Sequence, residues 1–296
     1  MINNWIQAIR PKTLFASVAP VILGLAIAYI EQNSINYFIA ALTLGCALLM
    51  QIGSNLANDY LDSIRGIDTE KRLGPTRVTH SGLISVPLMK RALVLVLSAA
   101  FILGIYLMIV GGPVIIFIGL LSLYFSYGYS GGPFPLSHHG LGELAAFIFF
   151  GIFAVIGSTY LQTHQISSLA IFLGMGPGFI SATILAINNL RDIGSDTETN
   201  KRTIAVRFGE NFQRKLCLLL IASSSLLLIF ISFSFHFSYL YFVSLSPLLF
   251  MKNWIHLFNQ PIDQRMNQAL AKTAQYLLLY CILVSLALVL SSGSMK

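Results

Sequence analysis

Charge is what this chain has least of. Only 10% of its 296 residues are Asp, Glu, Lys or Arg, while 56% are hydrophobic and the mean hydropathy is +0.77. Soluble domains carry about 25% charged residues, so this composition excludes an ordinary water-facing surface and makes lipid the main solvent. Cysteine is scarce too. Cys46, Cys217 and Cys281 lie far apart in apolar runs, which argues against a zinc site or a disulfide framework and leaves packing thiols. No cleavable leader is predicted, because Arg10-Pro11-Lys12 precedes an apolar run too long for a signal sequence and lacking a small-residue cleavage site.

What the chain does have is a series of apolar runs of spanning length. They fall near 14–30, 37–57, 90–110, 113–129, 143–161, 168–190, 213–235, 237–255 and 270–291. The expected fold is therefore all-α: a polytopic membrane protein of about nine transmembrane helices around a central cavity, capped by cytoplasmic loops. Gly111-Gly112-Pro113 and the stretch around His236 split two neighbouring pairs and predict tight helical hairpins.

Lys and Arg set the orientation. With the N-terminus inside, the basic residues of the N-terminal tail and of the loops near 58–91, 191–215 and 252–272 all fall on the cytoplasmic side. The outer connections hold no Lys or Arg, and only Lys296 lies outside. The net charge of +7 and the pI of 9.4 are thus accounted for by topology, and no nucleic acid is needed as a partner. A cytoplasmic (inner) cell membrane is the expected location.

Two of the cytoplasmic loops resemble one another. The first reads Asn58-Asp59-Tyr60-Leu61-Asp62, then Gly66-Ile67-Asp68-Thr69, Lys71-Arg72 and Gly74-Pro75-Thr76-Arg77. The second reads Asn188-Asn189-Leu190-Arg191-Asp192, then Asp196 and Lys201-Arg202-Thr203. Amide, acids, then bases recur in the same order about 130 residues apart, each time where an apolar span ends. This predicts one membrane-embedded domain over 1–296 with two pseudo-repeated halves, about 1–135 and 136–296, facing a shared cavity.

Asp59 and Asp62 are three apart and Asp192 and Asp196 four apart, so each pair projects from one helical face. Like charges on adjacent turns near a membrane repel and favour a bound cation. Carboxylate oxygens suit magnesium rather than zinc, and magnesium commonly shares its shell with substrate phosphates. Arg65, Lys71, Arg72, Arg77, Arg191, Lys201 and Arg202 lie nearby to neutralise a diphosphate. Lys90, Arg91, Arg214 and Lys215 read instead as topology-setting charges at helix starts, and Glu70, Glu198 and Glu210 as solvated acids.

The Asn-Asp-x-x-Asp run at 58–62 and the Asp-x-x-x-Asp run at 192–196 resemble the two signatures of the UbiA-type intramembrane prenyltransferases, and the likeness extends over the whole chain. Within that family, the strings Arg65–Thr69, Leu73–Arg77, Ser81–Ile84, Tyr129–Pro133, Gly140–Glu143, Asn188–Asp192, Lys201–Thr203 and Arg207–Gly209 resemble the branch that prenylates 1,4-dihydroxy-2-naphthoate. The resemblance implies a polyprenyl diphosphate donor, a dihydroxynaphthoate acceptor, the lipid bilayer as surroundings and Mg2+ as cofactor. It also implies ionisation to an allylic cation, attack by the ring at its carboxylate-bearing carbon, and loss of carbon dioxide on the route to menaquinone. On this reading Asp59, Asp62, Asp192 and Asp196 hold metal, and Asn58, Asn188, Asn189 and the basic residues bind substrate, with Arg77 the expected partner of the acceptor carboxylate. Gly66 stands where other members place a third acid, and Asp68 follows two residues later.

Other positions keep two readings. His138 and His139 are interfacial turn residues or acceptor contacts; Glu143 is a helix-start charge or a cavity-facing acid. Asn55, Asn58, Asn188 and Asn189 also fit interhelical hydrogen bonding. The rival functions are prenylation of a hydroxybenzoate, homogentisate or porphyrin, and a secondary transporter. The near absence of charge within the spans argues against a transport path.

Overall fold

A computed structural model describes residues 2–66, 73–75 and 77–294. Among them every regular element is helical. In chain order these are α1 (Ile2–Ile9), α2 (Pro11–Gln32), α3 (Tyr37–Arg65), α4 (Val86–Gly128), α5 (Gly142–Phe147), α6 (Ala154–Thr163), α7 (Ser168–Arg191), α8 (Ile193–Glu198), α9 (Ile204–Phe208), α10 (Glu210–Phe235), α11 (Tyr239–Val243), α12 (Met251–Asn259) and α13 (Met266–Ser294). A π-helical turn, Ile148–Phe153, joins α5 to α6 into one apolar rod.

Among the described residues seven helical stretches are long and apolar enough to cross a membrane. They cover all the expected spans but one, because the 43-residue α4 holds both 90–110 and 113–129. At Gly112 the backbone adopts φ 60 and ψ −151, a region essentially reserved for glycine, and Pro113 follows. The chain bends there into the predicted hairpin. The expected span 237–255 is not a continuous helix. It breaks into α11, a 3-10 turn at Ser246–Phe250 and α12, so this expected span is present only as consecutive short helical pieces. Pro247 lacks an N–H for a continuing ladder, and the Trp254 indole donates to the Pro247 carbonyl at 3.0 Å.

The bundle is sealed by small residues and aromatic bulk. A Cβ on Gly151 would lie 2.5 Å from both the Gly174 carbonyl oxygen and the Gly178 Cα, so the π-helical turn meets α7 backbone to backbone. This is the close approach that small residues four apart permit between membrane helices. The main core joins α2, α6, α7, α10 and α13 through Leu23, Ile27, Leu173, Leu228, Tyr276 and Tyr280. Large apolar side chains such as Ile109, Phe117, Leu219 and Phe233 point outward, as lipid-facing positions do.

Helix ends position the polar groups. Asn36 caps α3 by accepting from the Phe38 and Ile39 amides, and Gly66 ends it in the left-handed conformation (φ 64). The helix therefore stops four residues after Asp62. Position 66 closes a helix instead of presenting a third acid.

Candidate active site

A cavity of about 390 Å3 runs between the helices. Its inner wall is apolar, with Leu107, Met108, Ile115, Phe149, Phe153 and Leu161 among the lining residues. The polar part is made by the C-terminal ends of α3 and α7 and by the loops that follow them. Asn58 and Asp62 come from α3, and Asn188, Asp192 and Asp196 from α7 and α8; all five line this one cavity. Each aspartate is already matched with a base. Arg77 Nη2 lies 2.5 Å from Asp62, and Lys201 Nζ lies 3.2 Å from Asp196. Arg191 grips Asp192 through Nε and Nη2, at 2.7 and 2.6 Å. Such charge-assisted pairs hold the acids in place where solvation is poor.

Asp59 has a different setting. It is 2% exposed, does not line the cavity, and accepts from the Thr79 amide at 3.0 Å and the Val78 amide at 3.3 Å. Its carboxylate anchors the returning loop, and that loop carries Arg77 to Asp62. Among the described residues the acids facing the cavity are thus Asp62, Asp192 and Asp196, in the register Asn58-x3-Asp62 and Asn188-x3-Asp192. That register was available in the sequence as the spacing from each amide, four residues in both loops.

The expected cations separate likewise. Arg77 and Lys201 line the cavity. Arg65 is exposed and donates to the Ser130 carbonyl at 2.5 Å, which ties α3 to the 129–133 loop; the Ser130 hydroxyl donates in turn to Asn58 Oδ1. Arg191 is 3% exposed and is held by Asn188, Asp192 and Asn267. Asn267 also donates to the Leu73 carbonyl, so it links α7, α13 and the first loop. Arg202 is exposed, and its backbone N–H donates to the His138 carbonyl. Asp68, Lys71 and Arg72 lie outside the described residues. Asn189 is buried away from the cavity and donates to Glu143 Oε1 at 3.0 Å, which Gln213 also reaches at 2.8 Å. Glu143 is therefore the helix-start charge of α5, buried and bonded to Asn189 and Gln213, and not a cavity-facing acid. Arg214 departs from the topology reading: it is 5% exposed, pairs with Glu210 and donates to the Leu257 and Gln260 carbonyls that end α12.

The loop after α4 closes over the same space, with Tyr129, Ser130, Ser137 and His138 in the lining. Burial, then the charges of Lys201, Arg65 and His139, push the His138 imidazole down to about 4, so it is neutral at ordinary pH. His139 stacks on Phe134 and reaches the Pro135 carbonyl, which is a turn role.

Three carboxylates and two amides at the cavity mouth are oxygen donors of the kind magnesium takes. Among the described residues, no group of three or more His, Cys, Asp or Glu converges into a self-sufficient metal cage. A site that holds its ion with one or two carboxylates and the substrate's own phosphates needs none.

Residues 17–282 match the UbiA prenyltransferase family. The chain is 34% identical to a 1,4-dihydroxy-2-naphthoate octaprenyltransferase of Haemophilus influenzae, with 98% of each chain covered. It is 38% identical to the protein of the same name from Escherichia coli, over 73% of this chain and 72% of that one. Among solved structures it resembles a UbiA homologue from Archaeoglobus fulgidus bound to GPP and Mg2+, at TM-score 0.68 and 14% identity, covering 97% of this chain and 99% of the other. Two helix ends carrying the same amide-to-acid spacing, set about one cavity in a wholly helical bundle, agree with these likenesses: the chain belongs to the UbiA prenyltransferase family.

Proposed function

We propose that this protein transfers a polyprenyl group from its diphosphate to 1,4-dihydroxy-2-naphthoate, releasing diphosphate and carbon dioxide and giving the prenylated hydroquinone, demethylmenaquinol. The observation that carries this reading is the pairing of Asn58 and Asp62 with Asn188, Asp192 and Asp196 at one polar mouth of an otherwise apolar cavity. The mouth suits a diphosphate and the wall suits an isoprenoid. The names of the relatives at 34% and 38% identity support the acceptor.

In this reading Asp62, Asp192 and Asp196 hold Mg2+, with Asn58 and Asn188 beside them. Magnesium bound there neutralises the diphosphate and improves it as a leaving group. Arg77 and Lys201, now paired with Asp62 and Asp196, are placed to turn to phosphate oxygens when the donor binds. Asp59, Asn189 and Arg191 position these groups. The allylic C1–O bond breaks with its electrons going to the leaving diphosphate. The apolar wall and the 129–140 loop keep water from the cation until the ring attacks. The carboxyl group then leaves as carbon dioxide and its bonding electrons restore the aromatic ring. The positive-inside distribution of Lys and Arg supports a cytoplasmic mouth in an inner membrane, and the repeated loops support one domain in two halves.

The test is purified protein in detergent with polyprenyl diphosphate, magnesium and naphthoate labelled at the carboxyl carbon. One labelled carbon dioxide is expected per prenyl group transferred. Retention of the label, or transfer only to a hydroxybenzoate, would overturn the acceptor assignment.

A further inference from the structure

Two turns before the mouth along their helices, two residues of the cavity lining each carry a buried polar atom with no protein partner: Gln51 Oε1 on α3 and Ser181 Oγ on α7. Gln51 is 8% exposed and Ser181 4%. Each stands seven residues before the amide of its own helix end, Gln51 before Asn58 and Ser181 before Asn188, which is about 10 Å along a helix. The two halves of the fold thus repeat a polar position at the same depth.

The Gln51 amide is fixed in one sense by a chain of bonds. The Thr13 hydroxyl donates to the Arg10 carbonyl at 2.9 Å. Asn55 Nδ2 donates to the Thr13 hydroxyl and to the Ile9 carbonyl, at 2.9 and 2.8 Å, which leaves Asn55 Oδ1 as an acceptor. Gln51 Nε2 fills it at 3.4 Å. The remaining atom, Gln51 Oε1, accepts only, and a buried acceptor left unmade is costly. A ligand satisfying it must bring an O–H or N–H. An ionised diphosphate has none, nor does an isoprenoid tail. The three acids of the lining all lie at the mouth, so a cation is not called for at this depth. Water would meet the need, but water there would quench an allylic cation. The hydroxyl of a phenolic acceptor meets it without that cost.

We propose that Gln51 and Ser181 are the specificity residues for the acceptor ring, Gln51 accepting from one of its hydroxyls and Ser181 bonding at the same level. This rests on the prenyl-transfer reading above and deepens it. Gln51 and Ser181 would then hold the hydroxyl-bearing part of the acceptor ring below the diphosphate.

The experiment compares wild type, Gln51→Met and Ser181→Ala, using whichever hydroxylated acceptor the wild type prenylates, so that an error in the naphthoate reading shows in the wild type alone. In Gln51→Met, kcat/KM for the acceptor should fall about tenfold, the scale of one unmet buried hydrogen bond, while KM for the polyprenyl diphosphate stays put. Ser181→Ala should give a smaller loss with the same split. Competitive inhibition by 2-naphthoate, which keeps ring and carboxylate but has no hydroxyl, should be the same in all three proteins. An unchanged acceptor kcat/KM in Gln51→Met would overturn the proposal. So would equal weakening of the acceptor and of 2-naphthoate, which would make Gln51 a packing residue.

Discussion

Asp59 and Asp62 lie three residues apart on one helix, yet only one of their carboxylates reaches the cavity. Asp62 faces it beside Arg77, whereas Asp59 is spent on the Val78 and Thr79 amides. Substitutions should separate the two. Asp62→Asn and Asp192→Asn should each lower prenyl transfer about 100-fold or more, with thermal unfolding little changed. Asp59→Ala leaves two buried amides without their acceptor and should cost about 1–3 kcal/mol of stability, seen as a lower Tm. Its residual activity should keep the wild-type dependence on magnesium concentration. If Asp59→Ala instead shifts the magnesium requirement as Asp192→Asn does, Asp59 is a ligand after all. Periodicity alone could not separate these two acids, because three residues of spacing place both near one face and only the return of the 77–79 loop decides which is covered.

At the scale of elements, glycine settles several matters that hydropathy leaves open. The kink at Gly112 lets one 43-residue helix serve as two spans. Gly112→Ala would force an alanine into a glycine-only region and should destabilise the hairpin by about 1–3 kcal/mol, measurable as thermal unfolding in detergent. Gly151 is a packing position. Gly151→Val has no room against Gly174 and Gly178 and should separate the α5–α6 rod from α7. The expected outcome is loss of monodisperse protein on gel filtration, with no partial rescue from excess substrate. The hairpin at 111–113 was legible from Gly-Gly-Pro. The break at 244–250 was not, because an apolar run of spanning length reads alike whether it crosses the bilayer or packs as fragments against α10 and α13.

For the whole molecule, the acid–base pairs have a consequence for metal removal. Asp62, Asp192 and Asp196 are each compensated by Arg77, Arg191 and Lys201 without an ion. EDTA should therefore abolish transfer while Tm falls little, and added magnesium should restore full activity. A large drop in Tm would mean that the ion holds the bundle together. Orientation is tested with exposed positions, Gln165→Cys and Thr197→Cys, since native Cys46, Cys217 and Cys281 are all buried. In sealed cells an impermeant thiol reagent should label position 165 and not 197, and the reverse result would invert the topology.

Composition, the apolar runs and the repeated amide-acid-base order were enough to establish a helical membrane bundle, its family likeness and the two helix ends that line the cavity mouth. These are properties of local chain segments: a run of twenty apolar residues must be helical in lipid, and acids at a span's end must face polar surroundings. Tertiary structure alone decided which of those residues meet. It put Asp59 under a loop, locked Arg191 with Asn267 from a helix about 75 residues away, buried Arg214 at the end of α12, and brought Gln51 and Ser181 to the lining of one cavity. Such pairings depend on how helices rotate about their axes and on where loops return. Both are set by the close contacts of Gly151 and its neighbours and by long-range hydrogen bonds, whose partners are too distant along the chain to leave a periodic trace in it.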